Sequence, residues 1–352
     1  MTLRPGKLPA DSLARLLAGV PHLDPRVLYG PGIGRDAAVL DLGGGRVLVA
    51  KTDPVTFAAH DIGWYAVHVN ANDVACMGAR PAWMLASVLL PPGAPDGLPA
   101  TIMSQLGSAC GELGIELVGG HTEITLGLDR PIVVGAMLGE AASDAVVTGE
   151  NMVPGDRVLL TKGIAIEGSA LLARESAPTL AARGVAAETV ASAARLLFDP
   201  GISIVREARL ICEEARPRLM HDATEGGLST ALYELAEAGG VGLRIDPGAI
   251  SVLSETAAIC DALELDPMGL LASGSLLAIV GADDSEATLK ALRDAGVDCG
   301  AIGEVVPGPV RVILGSEDSA APLIKFDRDE LARFYSDAPV RDRGMTQPPE
   351  GT

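Results

Sequence analysis

The chain has 352 residues and a formal net charge of −19. A single hydrophobic core rarely organises more than about 250–300 residues, so this length predicts two domains. The acidic excess disfavours nucleic acids and anionic membranes as partners, and no apolar run reaches the roughly 20 residues of a membrane-spanning helix. The five cysteines include no C-x-x-C pair, which argues against a zinc ribbon and a disulfide framework. We therefore expect a cytoplasmic protein.

Hydrophobic periodicity in the first part of the chain predicts a mixture of strands and helices. In order, the predicted elements are a short helix within residues 1–20, the strands "DAAVLDL" and "RVLVAKTD", a helix over 61–78, the strand "AWMLASVLLP", a helix over 97–113, and the strands "GIELVGG" and "RPIVVGAMLGEA". The turn residues Pro154, Gly155 and Asp156 then interrupt the pattern. We therefore place a first domain at residues 1–150.

The remaining chain begins again with a strand, "DRVLLTKG". The elements predicted after it are a helix over 167–174, helical segments across 186–215, the loop "MHDATEGGLS", a helix over 228–238, and the strands "GLRID" and "SLLAIVG". This order predicts a second domain over residues 151–335 and an α/β (α+β) fold class. Residues 336–352 are polar and rich in Pro and Gly, so we expect a disordered tail.

The helix over 61–78 carries two polar residues where its apolar stripe should continue. The stripe follows the spacing of an amphipathic helix, through Ile62, Tyr65, Ala66 and Val69. Asn72 and Asp73 come next on it, and the opposite side of the helix is hardly more polar. We therefore predict that the helix is buried on most sides. A buried carboxylate is stable only when it is paired or bound to a metal.

Further acidic residues lie at predicted strand ends or beside glycines. Asp36 follows the loop "GPGIGR", Asp53 closes the strand "VLVAKTD", and "GGHTE" at 119–123 closes the strand "GIELVGG". Carboxylates beside glycines suit a site for Mg²⁺ and phosphate. Mg²⁺ takes carboxylate oxygens as ligands, and glycine lets backbone N–H groups approach an anion. No P-loop is present, and Arg35 breaks the G-x-G-x-x-G pattern. Each residue alone has a structural alternative, such as a turn cap for Asp36 or a hydrogen-bonded buried carboxylate for Asp73.

The second half contains another candidate anion site. Residues 224–227 precede the helix over 228–238, and the N–H groups and positive dipole at a helix start suit an anion. An ordinary capped loop is the alternative. Lys162 lies with two glycines at a predicted strand-to-helix junction.

Taken together and in this order, these segments resemble the aminoimidazole ribonucleotide (AIR) synthase superfamily, which includes AIR synthase, thiamine-monophosphate kinase, selenophosphate synthetase and HypE. The motifs are "GKLP", "GPGIGRDAAV", "KTDP", "DIGWYAVHVNANDVACMGARP", "VGGHTE", "PGDRVLLTKG" and "HDATEGGL". The likeness is greatest to the HypE-like branch. It implies a two-domain AIR synthase-like fold, a homodimer whose N-terminal sheets pair, and ATP with Mg²⁺ bound near that interface.

The resemblance also implies roles for single residues. The metal ligands would be Asp36, Asp53, Asp73 and Glu123. The nucleotide-binding residues would be Asp36, Asn72, Gly119, Gly120, Thr122, Thr224, Gly226 and Gly227. His121 is the candidate general base or substrate contact. Lys51 and Lys162 are the candidates to offset charge on a transferring phosphoryl group.

Two positions depart from the HypE pattern. His121 stands where HypE and thiamine-monophosphate kinase have an Asp, and Glu123 is the candidate to replace that carboxylate. HypE ends in a cysteine that carries a carbamoyl group, whereas the last cysteine here is Cys299. We therefore expect ATP- and Mg²⁺-dependent phosphorylation of an oxygen on an unidentified small substrate, without carbamoyl transfer. Thiamine-monophosphate kinase-like activity is one alternative, disfavoured by His121 and by the single Asp36 after Arg35. A non-catalytic nucleotide-binding module is the other.

Overall fold

The structure is a computed structural model, and it describes residue 8 and residues 10–21, 23–32, 34–315 and 320–337. The N-terminal elements are α1 (Ala10–Leu17), β1 (Val27–Tyr29), β2 (Ala38–Gly43), β3 (Arg46–Val55), α2 (Ile62–Cys76), β4 (Arg80–Leu90), α3 (Leu98–Leu113), β5 (Glu116–Ile124) and β6 (Ile132–Ala142). The strands form one six-stranded sheet in the order β1-β2-β3-β6-β4-β5. Only the β4–β5 pair is parallel.

Two of these strands run further than the sequence pattern indicates. Asp53 is a strand residue that pairs with Gly135 of β6, and residues 119–123 all pair with β4. Asp53 and "GGHTE" therefore lie inside strands and not at strand ends, so that part of the prediction is wrong. The reason is tertiary, because the long neighbours β6 and β4 supply backbone partners beyond the apolar stretches.

The C-terminal elements are β7 (Arg157–Thr161), α4 (Ile166–Glu175), α5 (Ala177–Ala182), α6 (Ala187–Arg195), α7 (Val205–Glu214), β8 (Leu219–Asp222), α8 (Gly227–Gly239), β9 (Gly242–Ile245), α9 (Ser254–Leu263), β10 (Leu276–Val280), α10 (Ser285–Asp294), β11 (Cys299–Val306), β12 (Arg311–Leu314), β13 (Ala321–Pro322) and α11 (Glu330–Asp337). Their seven-stranded sheet has the order β13-β12-β9-β11-β7-β10-β8.

The predicted loop "MHDATEGGLS" is a loop only in part. Its first three residues belong to β8, which pairs antiparallel with β10 along the edge of the sheet. The expected disorder from residue 336 is also wrong for its first two residues, which end α11, and 338–352 lie outside the described residues. None of the helices that the structure describes has the length and apolar character to cross a membrane.

Helix α2 is buried on most sides, as predicted, with thirteen of its fifteen residues buried. One side packs on β3 and β6, and another packs on α3. Gly135 and Gly139 of β6 allow this close approach, because a Cβ atom on either would overlap Asn70 or Val74 of the helix. At its C-terminal end, Cys76 enters a core cluster with Leu159 of the second sheet. Because α2 carries apolar residues on most of its faces, it can be buried between two packed layers.

Candidate functional site

Four aspartates from separate elements converge where α2 meets the second sheet. We call Asp36, Asp53, Asp73 and Asp222 the acidic cluster. One carboxylate oxygen of Asp36, one carboxylate oxygen of Asp222 and the Cys76 sulfur atom all lie within 4.8 Å of one another. The pKa of Asp73 is raised, first by burial and then by the nearby negative charges of Asp222, Asp36 and Asp53. The structure therefore brings three predicted metal ligands together and adds Asp222, which the sequence analysis missed although it lies in the quoted motif "HDATEGGL".

The loop before β2 fixes the position of Asp36. The Arg35 guanidinium donates a hydrogen bond to the Gly30 carbonyl oxygen at 2.9 Å and stacks 4.2 Å from the centre of the Tyr29 ring. Gly34 has a φ of 70°, and a Cβ there would lie 3.5 Å from the Glu234 carbonyl oxygen of α8. The loop thus presents Asp36 to the second domain, with its side chain only 12% exposed.

Lys51 of β3 is the cation that pairs with the buried aspartate of α2. Its ammonium lies 2.8 Å from an Asp73 carboxylate oxygen and 3.6 Å from an Asp53 carboxylate oxygen. Burial by itself lowers the pKa of Lys51, but the charges of Asp73 and Asp53 outweigh it and the pKa is raised. Lys51 therefore stays charged, and it supplies the partner that buried Asp73 requires.

His221 links Asp36 to helix α8. Its Nδ1 atom lies 2.9 Å from Asp36 Oδ2, and its Nε2 atom lies 2.8 Å from Glu234 Oε2. Burial alone lowers the pKa of this imidazole, but the two carboxylates outweigh burial and raise it well above its usual value. A protonated His221 therefore donates from both nitrogens and orients Asp36. No local pattern in the sequence indicates His221, because its partner Asp36 is 185 positions away.

The negative charges at this site outnumber the positive ones. Burial, followed by the charge of Asp36, raises the pKa of Asp222 to about 6. No described N–H group donates to either Asp222 oxygen, but the Asp73 side chain forms a hydrogen bond with Asp222 that lowers the pKa of Asp222. Carboxylate oxygens are the ligands that Mg²⁺ prefers. The donor set of the acidic cluster, balanced among the described residues by Lys51 and His221, therefore fits a divalent cation.

Two predicted site residues already have other partners. Asn72 donates to the Ile202 carbonyl oxygen and accepts from the Ile204 N–H group, both at 2.9 Å, so its amide bridges the two domains. The ammonium of Lys162 lies 2.6 Å and 3.0 Å from two backbone carbonyl oxygens and 3.1 Å from the Glu207 carboxylate. These contacts use all three ammonium donors. Lys162 therefore has no ammonium donor left for a nucleotide, whereas Asn72 retains one N–H group.

The glycines before α8 also differ from the predicted anion site. The Gly226 N–H donates to Asp329 Oδ2 at 2.6 Å, and the Gly227 N–H donates to the Thr224 carbonyl oxygen at 3.0 Å. A carboxylate of the chain itself therefore takes the place that an anion would occupy at this helix start. Thr224 instead lines a cleft that also contacts Asp53.

The segment 119–123 lies apart from the acidic cluster within one chain. The sheet register places Gly120 beside Ala86, Ala86 beside Gly135, and Gly135 beside Asp53. Three strand spacings separate Gly120 from Asp53, which is roughly 14 Å.

All five residues of this segment, Gly119, Gly120, His121, Thr122 and Glu123, are exposed on the edge strand β5. The Nε2 atom of His121 lies 3.1 Å from Glu123 Oε2, and Thr125 donates to the other Glu123 oxygen. His121 and Glu123 therefore contact each other rather than the aspartates.

Residues 34–141 match the model of the AIR synthase related protein N-terminal domain, and residues 153–315 match that of the C-terminal domain. Carbamoyl dehydratase HypE of Cupriavidus necator is 32% identical over 283 residues, covering 78% of this chain and 77% of that protein. The crystal structure of hydrogenase maturation protein HypE in complex with ATP has a TM-score of 0.70 and 25% identity, covering 88% of this chain and 92% of that one. Thiamine monophosphate kinase from Aquifex aeolicus is similar in fold alone, with a TM-score of 0.64 and 18% identity, covering 86% and 94%. The chain therefore belongs to the AIR synthase related family, which confirms both the resemblance and the two-domain AIR synthase-like fold.

Proposed function

We propose that the acidic cluster binds Mg²⁺ together with the phosphates of ATP, and that the protein phosphorylates an oxygen of a small substrate. The observation that carries this proposal is the convergence of four aspartate carboxyl groups, with no described N–H group donating to either Asp222 oxygen. The similarity to a HypE structure in complex with ATP supports the choice of nucleotide. Bound Mg²⁺ would supply the charge neutralisation that phosphoryl transfer needs.

The residues of the cluster divide into ligands and supporting groups. Asp36, Asp53, Asp73 and Asp222 would hold the metal, and His221 fixes the orientation of Asp36. Lys51 is positively charged and held by Asp73, so it would offset charge on the transferring group. Its position in a largely buried site strengthens that effect, because the surroundings are less polar than water.

The remaining predicted residues fit a site shared between two copies of the chain. Edge strand β5 exposes Val118 by 52% and Ile124 by 73% beside its unpaired backbone groups. An apolar open edge is a surface that another chain covers readily. We propose a homodimer through this edge, in which Gly119, Gly120, His121, Thr122 and Glu123 lie at the interface near the nucleotide.

Titration calorimetry with Mg²⁺–ATP tests the metal site directly. Asp222→Asn should weaken binding at least roughly tenfold, about 1.4 kcal/mol, because the amide removes a charged ligand. The exposed Asp144→Asn is the matched control and should bind like the wild type. Equal affinity of wild type and Asp222→Asn would refute the site. ATP turnover with candidate substrates then separates an enzyme from a binding module, which would bind Mg²⁺–ATP without turnover.

Carbamoyl dehydration is the second candidate function. The relatives named carbamoyl dehydratase HypE favour it, against the expectation from the sequence that no carbamoyl group is accepted. Cys299 begins strand β11 with its sulfur 3.5 Å from the Leu289 carbonyl oxygen, and Cys76, Cys110 and Cys260 are buried. Incubation with a carbamoyltransferase, carbamoyl phosphate and ATP, followed by intact-mass measurement, decides the matter. A cysteine adduct with the mass of one carbamoyl group, converted in the presence of ATP to a form lighter by one water, would establish the second candidate.

A further inference from the structure

A cleft between the two domains opens beside Asp53 of the acidic cluster. Its walls come from the end of β3 and the chain after it, from α2 and α4, and from the loops around residues 224 and 271. The side chains of Phe57, Leu171 and Leu271 give the cleft an apolar surface. Three carboxyl groups also line it, and their protonation and pairing determine what the cleft can bind.

Two of these carboxyl groups, those of Asp53 and Glu225, already have partners within the chain. One partner of Asp53 is the Lys51 ammonium, which lies 3.6 Å from its carboxylate oxygen. Such pairing weakens the attraction that either carboxylate exerts on a positively charged ligand. A negatively charged ligand would still be repelled by the nearby carboxylates. The electrostatics of the cleft therefore favour an uncharged ligand.

Glu167 is the third carboxyl group, and it is buried. It lies in the first turn of α4 and is 6% exposed, and its Oε2 atom has no hydrogen-bond partner among the described residues. Burial raises the pKa of Glu167 to about 8, although a hydrogen bond with Ser273 lowers it. The carboxyl group is therefore mostly protonated at neutral pH, and a protonated carboxyl group has one O–H donor. A buried donor of this kind is stabilised by an acceptor.

We propose that this cleft binds an uncharged small molecule with a carbonyl oxygen next to an apolar portion. The Glu167 carboxyl group would donate a hydrogen bond to that oxygen, and the apolar portion would lie against Phe57, Leu171 and Leu271. The low polarity of the surroundings strengthens such a hydrogen bond. Only the identification of this molecule as the phosphoryl acceptor rests on the proposed function, because Asp53 belongs to both the cleft and the acidic cluster.

NMR titration of the metal-free protein at neutral pH, with acetophenone isotope-labelled at its carbonyl carbon, tests the proposal. The wild type should bind acetophenone at least roughly fivefold more tightly than its hydrocarbon counterpart α-methylstyrene, which corresponds to about 1 kcal/mol. The carbonyl carbon resonance should move downfield of its position in water, because the oxygen accepts a hydrogen bond from a carboxylic acid in a site of low polarity.

Two variants at the same position separate the hydrogen bond from the shape of the cleft. Glu167→Met has a side chain of similar length without a donor, so it should lose the preference for acetophenone, and the resonance should move upfield. Glu167→Gln retains an N–H donor and should keep most of the preference. Glu188→Met, at an exposed glutamate of α6, is the matched control and should behave like the wild type.

Four outcomes would overturn the proposal. The first two are equal affinity of the wild type for acetophenone and α-methylstyrene, and an unchanged preference in Glu167→Met. The others are tighter binding of the cation benzamidine than of acetophenone, and no binding of acetophenone up to about 10 mM. The wild-type comparison needs no variant, so a folding defect in Glu167→Met leaves the test intact. Titration with Mg²⁺–ATP separates the two proposals, because loss of nucleotide binding in Asp222→Asn is measured independently of acetophenone.

Discussion

The substitution Glu167→Gln should flatten the dependence of stability on pH. The pKa of Glu167 is raised from 4.5 to about 8, chiefly by burial. A carboxyl group whose pKa is raised on folding stabilises the native state below its unfolded pKa, and this contribution is lost as the pH rises through the folded pKa. Glutamine has a similar shape and no charge at any pH, so it removes the effect while preserving the packing.

The magnitude follows from the two pKa values. The wild type should lose about 1.4 kcal/mol of unfolding free energy for each pH unit between 4.5 and 8, or roughly 5 kcal/mol over the whole range, through this group alone. Asp222 and Asp329, whose pKa values are both raised to about 6, titrate in wild type and variant alike. The difference between the two proteins therefore isolates Glu167 to a first approximation.

Urea denaturation followed by circular dichroism, at several pH values from about 5 to about 8.5, measures this difference. The two proteins should have similar stability at the acidic end, and Glu167→Gln should become progressively more stable than the wild type as the pH rises. Glu188→Gln, whose glutamate is exposed on α6, should follow the wild type at every pH. Parallel curves for the wild type and Glu167→Gln would refute the reasoning, because Glu167 would then titrate as an ordinary exposed carboxylate.

Three further predictions concern the acidic cluster and strand β5. Asp73→Asn should weaken Mg²⁺–ATP binding at least roughly tenfold, because the amide removes a charged ligand from the acidic cluster; unchanged affinity with a lower melting temperature would indicate a purely structural carboxylate. Gly120→Ala should lower the melting temperature, because its Cβ would overlap the Ala86 carbonyl oxygen; an unchanged melt would contradict this. Light scattering should give about twice the 36.0 kDa of one chain, and a monomer at micromolar concentration would exclude the dimer.

Local patterns in the sequence predict much of this fold. Periodicity identifies α2 and its burial, because a helix that is apolar on all sides can only lie between packed layers. The position of Asp73 on its stripe indicates a partnered carboxylate, and the structure supplies Lys51 as that partner. Motif order identifies the family, since each short segment is weak alone but their succession is specific.

Tertiary structure alone determines which of the candidate residues can meet. Asn72 hydrogen-bonds to backbone groups 130 and 132 positions away, and Asp36 contacts His221 across 185 positions. Periodicity reports only which neighbours share a face, so such pairings have no local signal. The burial of Glu167 also has no local signal in the sequence, because a glutamate in the first turn of a helix is ordinarily exposed. It becomes a buried carboxyl group facing a cleft only because residues remote in sequence, such as Asp53 and Leu271, line the same cleft.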